Sequence, residues 1–263
     1  MLNNKSDKQP FGLSKAPIIM AEKYLVAGLT ATLLTGCAPT LVPHTAYLPT
    51  IRDRGQAEIR VSTGFNGSEL QAGYQASDKL ILHAALLNYR NRRSGDGKGF
   101  RSADLGAGYY YASPNGYWRL GGHAGAAYGS GTSGSSACFE CVGTPGTEYE
   151  VRYTYAYVQP TVLLQTTNQT WGFGLRMGHA YYHELTELRA EVLGGPILAT
   201  SYAGHQGIFI QPTFQYSWRV LRWLGFSSSF GVQRFLNSSA AIGTVNPLVG
   251  QAGLHIILGK GAK

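Results

Sequence analysis

A cysteine closes a short apolar run in Leu34-Thr35-Gly36-Cys37, and its thiol is the group best placed for covalent chemistry in this chain. Lys23 precedes the run, which extends from Tyr24 to Leu34. A positive start, an apolar core of about a dozen residues and small residues before the cysteine describe a secretory signal. The run is too short to cross a bilayer as a mature helix, which takes about 20 apolar residues. Met20 to Cys37 already makes a complete signal, so Met20 is an alternative start to Met1. The other two cysteines, Cys138 and Cys141, form a Cys-x-x-Cys. In an oxidising compartment the expected state of such a pair is a disulfide within its loop. Free thiols, or half of a zinc or redox site, are the alternatives.

Charge is concentrated in one other place. Arg90, Arg92, Arg93, Lys98 and Arg101 crowd a single segment. Arginine offers several donors to each phosphate, so an external loop of this kind fits the phosphates of lipopolysaccharide. A solvated basic loop is the plainer alternative. Among the histidines, His83, His123 and His255 fall on polar-facing positions, and Asp104 could orient one of them. His179 and His183 are four residues apart, which on a strand end makes no metal face, and no metal site is expected. Gly106-x-Gly108 and Gly172-x-Gly174 lie in strand patterns with no helix after them, so they are not phosphate loops.

The ending Leu-x-Gly-Cys resembles the lipobox of bacterial lipoproteins. That resemblance implies cleavage before Cys37 and attachment of lipid, including palmitate, to the new N-terminal cysteine. Residues 1–36 are then signal, and residues 37–55, with prolines at 39, 43 and 49, read as a lipidated linker. No cofactor beyond this covalent lipid is expected. The precursor is formally +8, and its first 36 residues hold four lysines against Asp7 and Glu22, so about +6 remains after cleavage. Export argues against nucleic acid as the partner of that charge; anionic lipid and lipopolysaccharide fit better.

The elements that must position these groups are strands. The chain is rich in glycine (35) and tyrosine (17) and only 14% charged, and runs of helix formers are scarce. Ten segments of alternating polarity follow the linker, at about 56–65, 68–76, 80–89, 101–111, 117–128, 150–165, 170–182, 206–218, 224–235 and 247–259. After Asn66-Gly67, a strong hairpin signal, short and long connections alternate, as in an outer-membrane barrel with short periplasmic turns and longer external loops. Both barrel ends then fall on the periplasmic side, where an inner-leaflet lipid would also hold Cys37. Tyr109, Tyr110, Tyr111, Tyr117 and all four tryptophans flank the short turns. Phe65, Tyr89, Phe100, Tyr149, Tyr181, Tyr182 and Phe235 lie near the long loops, giving two expected girdles.

An internal repeat supports the reading: Tyr157-Val158-Gln159-Pro160-Thr161-Val162 recurs as Phe209-Ile210-Gln211-Pro212-Thr213-Phe214, and Trp171 recurs as Trp223 at the same 52-residue offset. One strand face carries Leu82, Leu86 and Leu254; the other carries Glu58, Arg60, Glu69, His83, Asp104, Arg119, His123, Arg176 and His255. Unpaired charges are too costly for a dry core, so this polar set is assigned to a hydrated, salt-bridged lumen and the apolar face to lipid. The expected fold is therefore all-β: a closed antiparallel up-and-down transmembrane barrel of about ten strands over residues 56–260.

The pattern is similar to that of small porin-like and OmpA-like barrels of Gram-negative bacteria. It departs from many of them by ending Leu258-Gly259-Lys260-Gly261-Ala262-Lys263, without a terminal aromatic. A structural or surface-binding role, with external loops meeting lipopolysaccharide or a protein partner, is the expected function. A narrow solute channel is the second reading, since ten strands sit near the filled end of the size range. A hydrolase at the outer rim is the third, although no motif of the known barrel proteases or lipid A enzymes is present.

Overall fold

The computed structural model describes residues 40–65, 67–90, 99–135, 147–190, 197–237 and 248–259. Twelve antiparallel strands form one sheet: β1 (Ala57–Gly64), β2 (Gly67–Gln75), β3 (Leu80–Arg90), β4 (Gly99–Ala112), β5 (Trp118–Ser135), β6 (Thr147–Gln165), β7 (Gln169–Ala190), β8 (Ile197–Ser201), β9 (Gln206–Arg219), β10 (Leu224–Val232), β11 (Arg234–Phe235) and β12 (Leu248–Leu258). Ten of them make a ring. The order runs β9-β10-β12-β1 and then through β2 to β7, and β7 pairs back onto β9 to close it. The expected ten-stranded antiparallel barrel is therefore present. Among the described residues β8 pairs only with the far end of β7, and β11 resumes the course of β10 along β9.

The barrel has two distinct ends. Turns at 76–79, 113–117, 166–168 and 220–223 lie at one of them, where β1 also begins and β12 finishes; this is the turn end. The opposite, loop end is where β1 meets β2 and where the strands on either side of 91–98, 136–146 and 238–247 terminate. β5, β6 and β7 continue past the expected limits, to Ser135, from Thr147 and to Ala190. The residues there are Gly/Ser-rich or charged and read as loop, but each strand has a paired neighbour, and ladder bonds use the backbone alone.

Alternation sets the two faces. Glu58, Arg60 and Ser62 of β1 are buried while Ile59 and Val61 are exposed, and the same period-2 pattern runs through β2. The outer wall is a belt of exposed Leu82, Leu86, Leu105, Leu120, Phe173 and Leu254. All four tryptophans are exposed near the turn end, with Tyr109, Tyr111 and Tyr117. Five other expected girdle residues are not on this wall. Tyr110, Phe100, Tyr149, Tyr182 and Phe235 point inward and are buried. In runs such as Tyr109-Tyr110-Tyr111, adjacent side chains must take opposite faces, so proximity to a turn does not make a girdle.

The two repeat prolines sit at interruptions of the ladder. Pairing of β6 with β7 skips Gln159 and Pro160, going from Val158–Met177 to Thr161–Gly174. Pairing on β9 stops at Gly231–Thr213 and resumes at Arg234–Ile210, leaving Pro212 without a rung on that side. Proline has no N–H to give, so each copy of the repeat keeps its ladder on one neighbour and loses a rung on the other.

Candidate functional site

What read as a linker is the core of the barrel. Residues 40–51 are all buried and pass lengthwise through the lumen as a strap. Their partners fix the direction. Val42 accepts a hydrogen bond through its carbonyl from the Tyr153 hydroxyl (3.2 Å), near the loop end. Farther along, His44 Nδ1 lies 2.8 Å from Glu69 Oε1 and its Nε2 lies 2.9 Å from Ser102 Oγ. Tyr47 and Thr50 reach Glu58, and the Ile51 carbonyl accepts from Arg119 at 2.7 Å. Arg52 then donates to the Thr166 carbonyl in a turn at the opposite end. Pro43 and Pro49 suit this path, because proline holds the chain extended and brings no N–H that would need an acceptor.

The inward polar residues hold the strap by its backbone. Gln211 donates to the His44 carbonyl (3.0 Å), Gln71 to Thr45 (3.0 Å), Gln159 to Tyr47 (2.9 Å), Gln215 to Leu48 (2.9 Å) and Gln165 to Pro49 (3.3 Å). Arg219 reaches the Thr50 carbonyl (3.5 Å), and Arg60 adds a second donor to Leu48 (3.3 Å). Carboxylates take the amides: Thr45 N–H donates to Glu69 (3.2 Å) and Thr50 N–H to Glu58 (3.0 Å). Buried backbone groups must find partners, and here side chains from β1, β2, β5, β6 and β9 supply what a neighbouring strand normally would.

Side chains of the strap fill sockets. Leu41 and Val42 join a buried cluster with Phe100, Tyr153, Tyr182 and Phe209. Tyr47 stacks on His83 (5.1 Å between ring centroids) and meets His123 edge-on (5.6 Å). Leu48 lies over Gly172 and Gly174. Gly73 is the tightest approach: an added Cβ would stand 1.7 Å from the Tyr47 hydroxyl oxygen. Tyr47 is confined by its stack on His83, its edge contact with His123 and the Arg60 guanidinium over its ring (5.9 Å). Gly73→Ala is therefore expected to cost about 1–3 kcal/mol by overpacking. The check is the temperature at which the barrel loses its fast-migrating folded form on a denaturing gel; an unchanged temperature, with Ala72→Gly as the outer-face control, would contradict the packing.

A second network stiffens the wall behind the strap. Arg176 lies 3.3 Å from Asp104 Oδ2, donates through Nε to Gln159 (3.1 Å) and sits over the Tyr157 ring at 4.0 Å. The Tyr157 hydroxyl donates to Asp104 Oδ1 (2.7 Å) and so accepts from His83 Nε2 (2.8 Å). Asp104 also lies 3.4 Å from His83. His123 shares a hydrogen bond with Tyr110 (3.1 Å). Arg60 pairs with Glu58 at 2.7 Å and donates to Gln215 at 2.6 Å. At the turn-end mouth, burial, with Arg219 and Arg119 close by, lowers the pKa of the Arg52 guanidinium. A cavity of about 10 Å³ beside it, lined by Thr50, Arg52, Arg219 and His255, has room for about one water.

Glu58, Arg60, Glu69, His83, Asp104, Arg119, His123, Arg176 and His255 are thus all inside and buried. In place of the open hydrated lumen expected from their charge, they surround the strap, which hydrogen-bonds Glu58, Arg60, Glu69 and Arg119, while His83, Asp104, His123 and Arg176 are partnered by other side chains of the wall. Arg90 and Arg101 are exposed on the outer wall at the loop end. They border a groove of about 570 Å³ with Asn88 and Ser130, and Leu86, Ala103 and Tyr128 line a neighbouring hollow below it. Arg92, Arg93, Lys98, Cys37, Cys138 and Cys141 lie outside the described residues. Among the described residues, no group of three histidines, cysteines or carboxylates is arranged to hold a metal. Near the loop end, His183 contacts Thr154 and His205 contacts the Tyr202 carbonyl, while Glu184 pairs with Arg152.

The sequence reading missed the strap and most of its glutamine partners. One signal pointed to them. Gln159 and Gln211 occupy equivalent places in the repeat and both hold strap carbonyls.

No protein-family model and no curated protein matches the chain. Among solved structures it is similar to the translocator domain of the autotransporter NalP from Neisseria meningitidis, at 12% identity over 91% of this chain and 96% of that one, with a TM-score of 0.42. It is also similar to the CymD monoaromatic hydrocarbon channel, at 11% identity over 78% of this chain and 67% of that one, with a TM-score of 0.32. No residue role is carried over from chains this distant.

Proposed function

We propose that this protein is a bacterial outer-membrane barrel, lipid-anchored at Cys37, that serves as a stoppered structural or surface-binding unit and not as an open pore. The observation that carries this reading is the strap: residues 40–51 occupy the lumen, hydrogen-bonded from wall to wall. The exposed belt of leucine and phenylalanine supports lipid outside, and closure of the sheet leaves no ring edge unpaired in hydrocarbon. The turn-end tryptophans fit one headgroup level. Surface binding would use the loop end, where Arg90 and Arg101 stand above apolar Leu86 and Tyr128; phosphate-bearing lipid such as lipopolysaccharide fits that pairing.

Purified protein in planar bilayers is expected to be electrically silent at low voltage. Reproducible discrete openings of the wild type would replace this reading with the solute channel. Palmitate labelling in cells is expected to disappear in Cys37→Ala, and labelling that survives the substitution would remove the lipid anchor from the proposal.

A further inference from the structure

The direction of the strap carries a consequence for the anchor, resting on the lipidated-barrel reading above. We infer that the chain enters its own barrel from the loop end, so that a lipid borne by Cys37, three residues ahead of the strap, is presented to the outer leaflet. This is the reverse of the inner-leaflet attachment that the sequence pattern favoured.

Three observations support it. First, the strap descends from the loop end to the turn end: Val42 is held by Tyr153 near the loop end of β6, and Arg52 by Thr166 in the turn after the same strand. The chain then enters β1 at the turn end, so β1 and the strap run in opposite directions. Second, Cys37 is three residues from Thr40, a reach of at most about 11 Å. A membrane-spanning lumen is about 30 Å long, so Cys37 cannot return to the turn end within that length of chain. Third, a return path would need a second extended chain in the lumen. The strap is fully buried, and the turn-end cavity beside it admits about one water.

The grip on the strap suits this path. It is made largely to main-chain carbonyls, by Gln71, Gln159, Gln165, Gln211, Gln215, Arg60, Arg119 and Arg219. Long flexible amides and guanidinium groups can follow a chain during assembly. Tyr47, stacked on His83, and Leu48, set over Gly172 and Gly174, then fix its final register. Because β1 and β12 form one seam of the ring, the strap can be laid in before the sheet closes, and no acylated terminus has to pass through a finished barrel.

The test uses whole cells and the full-length chain. An epitope tag is inserted directly after Ala38, and reference tags are placed in separate chains within the 136–146 connection and in the 113–117 turn. Antibody binding to intact cells is compared with binding after permeabilisation. The tag after Ala38 is expected to behave as the 136–146 tag does, with equal signal in both conditions, while the 113–117 tag needs permeabilisation. To guard against a tag that disturbs the strap, Ala38→Cys in a Cys138→Ser, Cys141→Ser background is labelled with a membrane-impermeant maleimide. Labelling on intact cells, in a chain that keeps its fast-migrating folded form, supports the inference. A residue-38 reporter that follows the turn tag in a folded barrel overturns it. This outcome is separate from the palmitate result: loss of the lipid claim would leave the side of the N-terminus to be read by the tags alone.

Discussion

Replacing Tyr47 and Leu48 together by alanine is expected to loosen the strap and open the barrel. Each side chain is fully buried, and truncation of a buried leucine costs about 2–5 kcal/mol and of a large aromatic about 3–5 kcal/mol. The two are adjacent and share the same lumen, so the combined loss will be smaller than the simple total. The cost arises here because the sockets cannot collapse. Tyr47 is walled by His83 and His123, and Leu48 rests on glycines held in a closed ladder. The barrel wall keeps its ring of hydrogen bonds, and the polar residues left behind acquire water. Two measurements check this. The temperature at which the fast-migrating form disappears on a gel should fall, and planar-bilayer recordings should change from silence to discrete openings. A double variant that stays silent and as heat-resistant as the wild type would show that the strap is not what closes the lumen.

The second large effect concerns the charge at the centre of the wall. Asp104→Leu strands Arg176, whose side chain is 1% exposed and whose carboxylate partner is removed. Breaking one half of a buried pair costs about 3–5 kcal/mol, because the remaining charge is left desolvated and uncompensated. The Tyr157 hydroxyl and His83 lose an acceptor as well. Adding Arg176→Met removes the stranded charge and is expected to recover most of the stability. Denaturant unfolding in detergent, followed by tryptophan fluorescence, measures both variants. If the double variant is as unstable as Asp104→Leu alone, the penalty belongs to the Tyr157–His83 hydrogen bonds and not to the ion pair.

The arrangement of the barrel follows from how few ways an extended chain has to satisfy itself. Ten strands are near the size at which side chains alone fill the interior. This lumen is instead widened by inward glycines at 73, 172 and 174, and the space they leave is taken by Tyr47 and Leu48. The glycines, the glutamines and the strap therefore form one unit. Glycine gives the room, glutamine gives paired donors of the right length, and proline keeps the strap from needing more acceptors than the wall offers.

The barrel is legible in the alternation of residue types along the chain. A side-chain period of two places Glu58 and Arg60 on one face and Ile59 and Val61 on the other without reference to any distant contact. It likewise brought Asp104, Arg176 and the lumen histidines to a common interior, and short against long connections set the two ends. What fills that interior emerges from the folded arrangement. The strap has no period of its own, and its prolines and mixed polarity read as linker. It is recognised mostly through backbone carbonyls, which are the same at every residue, by donors scattered from Arg60 to Arg219. A contact between a featureless backbone and a ring of side chains leaves no local signature, and it exists only once the sheet has closed around the chain.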